Sequence, residues 1–77
     1  MAKKRQQAKQ ENGPKYPHIS VQLSGNDGNA FSILARVRRA MERGGVSPED
    51  LDNFHNEATD GDYDHLIATC MKYVEVN

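Results

Sequence analysis

Apolar and polar side chains change rhythm several times along this chain, and each rhythm predicts a different element. In residues 18–24, Ile19, Val21 and Leu23 alternate with Ser20, Gln22 and Ser24. A period of two predicts a strand with one buried face. Gly25 and the Asn-Asp-Gly-Asn group that follows it end that strand. From residue 30 the period lengthens. Ala30, Ile33, Leu34, Val37, Ala40 and Met41 recur at the spacing of the buried stripe of an amphipathic helix. Gly44 and Gly45 supply its stop, because glycine adopts the left-handed conformation at a helix end without steric penalty.

Ser47 then reads as the cap of a second helix, with Pro48 at its first position and Glu49 and Asp50 at the positive end of its dipole. Val46 and Leu51 stand where a hydrophobic staple would close over that start. Leu51, Phe54 and Ala58 give it a thin buried stripe, and it ends by Gly61. Asp62 opens a third helix, in which Tyr63, Leu66, Ile67, Cys70 and Val74 recur at helical spacing. After about Lys72 the residues favour a strand, with Val74 and Val76 alternating with Glu75 and Asn77. Its natural mate is the strand at 19–23. A lone two-stranded ribbon is marginal in water, so the pair must lie on the helices. The predicted fold is α+β: three short helices with a small two-stranded sheet formed by the N-terminal and C-terminal strands, in the order β-α-α-α-β. The pattern leaves the relative direction of the two strands open.

Residues 1–17 follow no rhythm. They contain almost nothing apolar and have no face to bury, which predicts a disordered basic tail ahead of a globular domain at 18–77. Seventy-seven residues allow one domain, and a core this small makes a homodimer a live expectation.

The net charge of −1 hides a division. Residues 1–43 hold nine of the ten Lys and Arg, whereas residues 44–77 hold eight of the eleven Asp and Glu. A molecule so divided is electrically dipolar if the two halves occupy different faces. Pairing between the halves, or head-to-tail self-association, is the simplest use of such a pattern. The single cysteine, Cys70, excludes an intrachain disulfide and fits a reducing cytoplasm. No apolar run approaches the roughly 20 residues that span a bilayer, so no membrane role is expected. The charged N-terminus lacks the hydrophobic segment of a secretory signal.

The stretch VQLSGNDGNAFSILARVRRAMERGGV, with EATDGDYDHLIATCMKYVEV after it, resembles a group of short proteins of tailed phages and prophages. The shared features are a strand, a Gly-Asn-Ala-Phe turn, a helix and a Tyr-Asp-His segment near the end. The resemblance covers about residues 19–76 and leaves the basic tail outside. It implies a setting, a phage accessory protein in the cytoplasm of a bacterial host, rather than a mechanism.

Candidate chemistry gathers at two places. Around the first helix, at about 100° per residue, Arg36, Arg39 and Arg43 fall within roughly 60° of one another on the side away from the stripe. Such a face can dock an acidic protein, follow nucleic-acid phosphates or stay solvated, and it is the expected partner-binding surface. The second place is the turn Gly25, Asn26, Gly28 and Asn29 before that helix. Helix N-termini attract anions, and glycines allow a close backbone approach. The turn lacks the Gly-x-x-x-x-Gly-Lys-Ser/Thr of a nucleotide triphosphatase loop, and Asp27 sets a carboxylate where a phosphate would sit. A plain turn and cap, with Asn26, Asp27 or Asn29 accepting from the first helical amides, is the competing reading.

Other motifs fail on their spacing. Asp60, Asp62 and Asp64 alternate like calcium ligands, but His65 and Met71 stand where an EF-hand needs Gly and Glu. His18, His55, His65 and Cys70 show neither a zinc spacing nor a nucleophile pair. A DNA-reading helix-turn-helix would have an acidic recognition helix, which repels the duplex. No cofactor, metal or catalytic role is expected. Three functions remain: a phage-type accessory protein binding a macromolecule, most simply a protein, through the basic helix face; a nucleic-acid binder using that face and the tail; and a nucleotide or phosphate binder, a counter-defence sponge, using the Gly-Asn turn.

Overall fold

A computed structural model describes residues 13–25 and 28–77 of the chain. The tail through residue 12, and Asn26 and Asp27 of the turn, lie outside the described residues. The elements run β1 (Tyr16–Val21), α1 (Ala30–Arg43), α2 (Pro48–Ala58), α3 (Tyr63–Tyr73) and β2 (Val74–Val76). This is the expected α+β order, β-α-α-α-β.

Local chemistry sets the helix limits. Asn29 caps α1, its side chain accepting from the amides of Phe31 and Ser32. Ser47 caps α2 by accepting from the Asp50 amide, with Pro48 at the first turn. Asp62 caps α3 by accepting from the His65 amide, so its carboxylate serves the helix. The end of α1 is a Schellman arrangement: Val46 N–H donates to the Met41 carbonyl at 3.0 Å and Gly45 N–H to that of Glu42 at 3.1 Å. Gly45 takes φ +89° there, a conformation that favours glycine. Val46 and Met41, which such an end brings together, are both buried.

The two strands pair in parallel, with Tyr16 opposite Val74, Ser20 opposite Glu75 and Val21 opposite Val76. The register breaks between Tyr16 and Ser20, the stretch that holds Pro17, which has no N–H to offer a ladder. β1 starts at Tyr16 rather than Ile19, so the first strand takes in the last two residues of the segment expected to be tail. The reason is lateral. Lys15 N–H donates to the Lys72 carbonyl at 2.8 Å, and the Tyr16 hydroxyl donates to Asp50 Oδ2. Beyond β2 the pairing continues, as Asn77 N–H donates to the Val21 carbonyl and the Asn77 carbonyl accepts from Leu23 N–H.

The core joins one face of each element. Ile33, Val37 and Met41 of α1 meet Leu51, Phe54 and Ala58 of α2, Leu66, Cys70 and Tyr73 of α3, and Ile19, Val21 and Val74 of the strands. Phe54 and Tyr73 touch edge to face, with ring centres 5.3 Å apart. Two expected core positions differ. Ala30 is exposed, and Tyr63 stays 48% exposed because, as the first residue of α3, it reaches across to α1, donating its hydroxyl to the Gly28 carbonyl at 2.8 Å.

Candidate functional site

The stripe that buries Ile33, Val37 and Met41 fixes the rotation of α1 and turns its opposite side outward. Arg36, Arg39 and Arg43 are all exposed there. With Ser32 and Ala35 they line a shallow groove of about 400 Å³. The small Ala35 side chain leaves its floor open.

The other described cations are engaged. Arg38, on the far margin of the helix, faces Glu42 one turn on, Nε to Oε2 3.8 Å. Lys15 pairs with Asp50 at 3.1 Å, and Lys72 with Glu57. Among the described residues no carboxylate lies within ion-pair distance of Arg36, Arg39 or Arg43. The division of charge along the sequence is therefore only partly cancelled by internal pairing. Among the described cations, those left uncancelled form one row of three guanidinium groups, while Glu49, Asp52, Asp60, Asp62, Asp64 and Glu75 likewise stand outside any ion pair among the described residues.

The engaged charges belong to a seam that ties the start of β1 to α2 and α3. Asp50 accepts from the Tyr16 hydroxyl and pairs with Lys15, and both hold its carboxyl below the usual range. Glu57 accepts from Lys72 and, at 3.4 Å, from the Tyr73 hydroxyl, and its pKa is lowered chiefly by Lys72. Lys15 lies 5.9 Å from the centres of both the Tyr16 and Tyr73 rings. This seam has the composition of a polar site but the wiring of a fastening: each charge has an opposite at hand.

The Gly-Asn turn is occupied by its own helix. Asn29 Oδ1 accepts from Phe31 N–H at 2.8 Å and from Ser32 N–H at 3.3 Å, donors that an anion would need. The Gly28 carbonyl accepts from Tyr63. Gly25 bends the chain with φ +81°. Asn26 lies outside the described residues. The turn therefore works as a start for α1, tied to α3.

A second surface feature has no counterpart in the sequence pattern. An apolar cleft of about 190 Å³ lies between the start of α1 and the α2–α3 turn, with Phe31, Leu34, Ala58, Tyr63 and Leu66 on its walls. Phe31 is 81% exposed. The available signal was its angle: Phe31 falls outside the stripe traced by Ile33, Val37 and Met41, where an aromatic side chain has no burial to gain within α1's own packing.

No protein-family model, curated protein or solved structure matches the chain. Among the described residues, no helix is long and apolar enough to cross a membrane. Nor do three or more His, Cys, Asp or Glu side chains gather there as metal ligands. Cys70 is fully buried, and that burial pushes its thiol up to about 11, which favours the protonated form.

Proposed function

We propose that this chain is a non-enzymatic binding protein, of the phage accessory type, that docks an acidic surface of a protein partner in the bacterial cytoplasm through Arg36, Arg39 and Arg43. One observation carries the reading. Of the six described Lys and Arg, three are ion-paired and three are not, and the three unpaired ones share one exposed helix face. A row of like charges that the fold leaves uncompensated attracts counter-charge from outside. The resemblance of residues 19–76 to short phage proteins supports the setting.

Charge reversal tests it. Arg36→Glu, Arg39→Glu and Arg43→Glu together alter exposed positions, so the helical circular dichroism signal should persist, with each change shifting stability by only about 0.5 kcal/mol. Immobilised wild-type chain should retain a protein from nuclease-treated host lysate at low salt, and the triple variant should lose it. Equal retention by both proteins would overturn the reading. Retention that disappears with nuclease treatment, and falls steeply with salt and with removal of residues 1–17, would favour nucleic acid instead.

A further inference from the structure

We infer that the cleft beside Phe31 receives one large apolar side chain of an acidic peptide segment whose carboxylates lie along Arg36, Arg39 and Arg43. The inference rests on the basic-face reading and adds the anchor that gives it direction and selectivity.

Size comes first. Small-molecule pockets usually enclose about 300–1,000 Å³. At about 190 Å³ this cleft is too small for such a ligand and suits a single side chain. Its walls are mostly apolar, with Thr59 and Asp62 the polar exceptions, and Phe31 stands 81% exposed on it, so an incoming aliphatic or aromatic group would cover surface now facing water. One wall is also held in place: the Tyr63 hydroxyl is bonded to the Gly28 carbonyl across the gap between α3 and the start of α1. That wall then needs little ordering on binding, and the remaining cost falls on the peptide.

Position links the cleft to the arginines. At 100° per residue, Ala35 lies about 40° and Arg39 about 80° around α1 from Phe31, so the small Ala35 forms a saddle between cleft and row. From Phe31 to Arg43 is roughly 18 Å along the axis. An extended peptide covers that in about six residues at 3.3 Å each.

The charges around the cleft decide among occupants. Asp62 lines its far side, with Asp60 and Asp64 exposed nearby. A nucleic acid carries phosphates on both sides of every base, so some would lie against these carboxylates. A peptide can keep its acids on the arginine side and present neutral residues to Asp62. The chain's own residues 1–12 make a poor occupant, because their only apolar side chains are Met1, Ala2 and Ala8 and their charge is mostly positive.

Selection from a display library of random peptides about ten residues long, on the folded full chain, tests the inference. Enriched peptides should carry one fixed Phe, Tyr, Trp or Leu, with Asp or Glu clustered on one side of it. Replacing that residue by Ala in a selected peptide should weaken binding roughly tenfold or more, the scale of one buried large side chain. The loss should shrink in Phe31→Ser, which changes an exposed side chain and leaves the core intact, whereas Arg39→Glu should weaken both peptides alike. Acidic peptides without a fixed apolar position, or an undiminished loss in Phe31→Ser, would overturn the cleft while sparing the basic face. Absence of acidic enrichment would overturn both. Tighter, Phe31-dependent binding of a single-stranded oligothymidine would make the occupant a nucleic acid. Concentration-dependent sedimentation of the chain alone, abolished by Phe31→Ser, would make it a second copy. Either result overturns the inference.

Discussion

At the scale of single residues, the paired glycines after α1 divide their work. Gly45 is required by its backbone, with φ +89° and no atom within 4 Å of where a Cβ would stand. Gly44 has an ordinary helical backbone, φ −81°. Its constraint is proximity: a Cβ there would lie 2.7 Å from Ile19 Cγ1 and closer still to Cδ1. Gly44 is the point where β1 leans on the end of α1. Gly44→Ala should therefore destabilise by about 1–3 kcal/mol through overpacking, and Gly45→Ala by about 1–2 kcal/mol through backbone strain. Ile19→Val, which removes Cδ1, should roughly halve the first penalty and leave the second unchanged in urea unfolding. Equal penalties in both backgrounds would mean that the contact with Ile19 is not what fixes Gly44.

At the scale of elements, each helix begins on a side-chain oxygen, and the cap of α1 lies inside the candidate anion turn. The two readings of that turn diverge on substitution of Asn29. As a cap, Asn29→Ala should lower stability by about 0.5–2 kcal/mol. Asn29→Asp should hold it or raise it by about 0.3–1 kcal/mol, because a carboxylate suits the helix N-terminus. An anion site would respond the other way: the aspartate would abolish stabilisation by added phosphate or nucleotide, and the wild-type chain would show that stabilisation first. Thermal unfolding with and without those ligands separates the two. The helices were legible in the sequence because their limits depend on neighbours within a few residues: Ser47 with Pro48, Asp62 before Tyr63, Gly44 with Gly45. The sheet was legible only as a pairing. Its parallel direction and its start at Tyr16 depend on contacts with Lys72, Val74 and Asp50, more than thirty residues away, which no local period records. The arginine row was legible because α1's buried stripe fixes the opposite side. The cleft was not, since its walls come from α1, α2 and α3 together, and Tyr63 has the spacing of a core residue until the tertiary bond to Gly28 turns it outward.

At the scale of the whole molecule, the fold closes by pairing its first and last strands through the backbone, and an ionic seam fastens the start of β1 to α2 and α2 to α3. Asp50 and Glu57 both titrate below their ordinary range, Asp50 through Tyr16 and then Lys15, Glu57 through Lys72. A depressed carboxyl contributes stability that is present above the unfolded value, near pH 4, and is lost as pH falls through the folded value. Both groups lie near solvent, so salt should weaken the effect. On the alkaline side the signs reverse. Cys70 is raised to about 11 by burial, Tyr73 is raised by burial, and Tyr16 is raised by its bond to Asp50. Lys15 and Lys72 are raised by their carboxylate partners. Each favours the protonated form in the fold, so its contribution is whole below the unfolded value and lost as pH rises through the folded one. Stability should therefore be level only between about pH 5 and pH 8, below the unfolded thiol's value. It should fall on the acid side as the seam protonates, and on the alkaline side first as the buried thiol is forced to ionise. Urea unfolding across that range should show Asp50→Asn flattening the acid limb without moving the alkaline one. Cys70→Ala should do the reverse, delaying the alkaline fall by about one pH unit, to the onset set by the tyrosines. An alkaline limb unmoved in Cys70→Ala would show that the thiol is not its origin and leave the seam's tyrosines and lysines as the groups that open the fold.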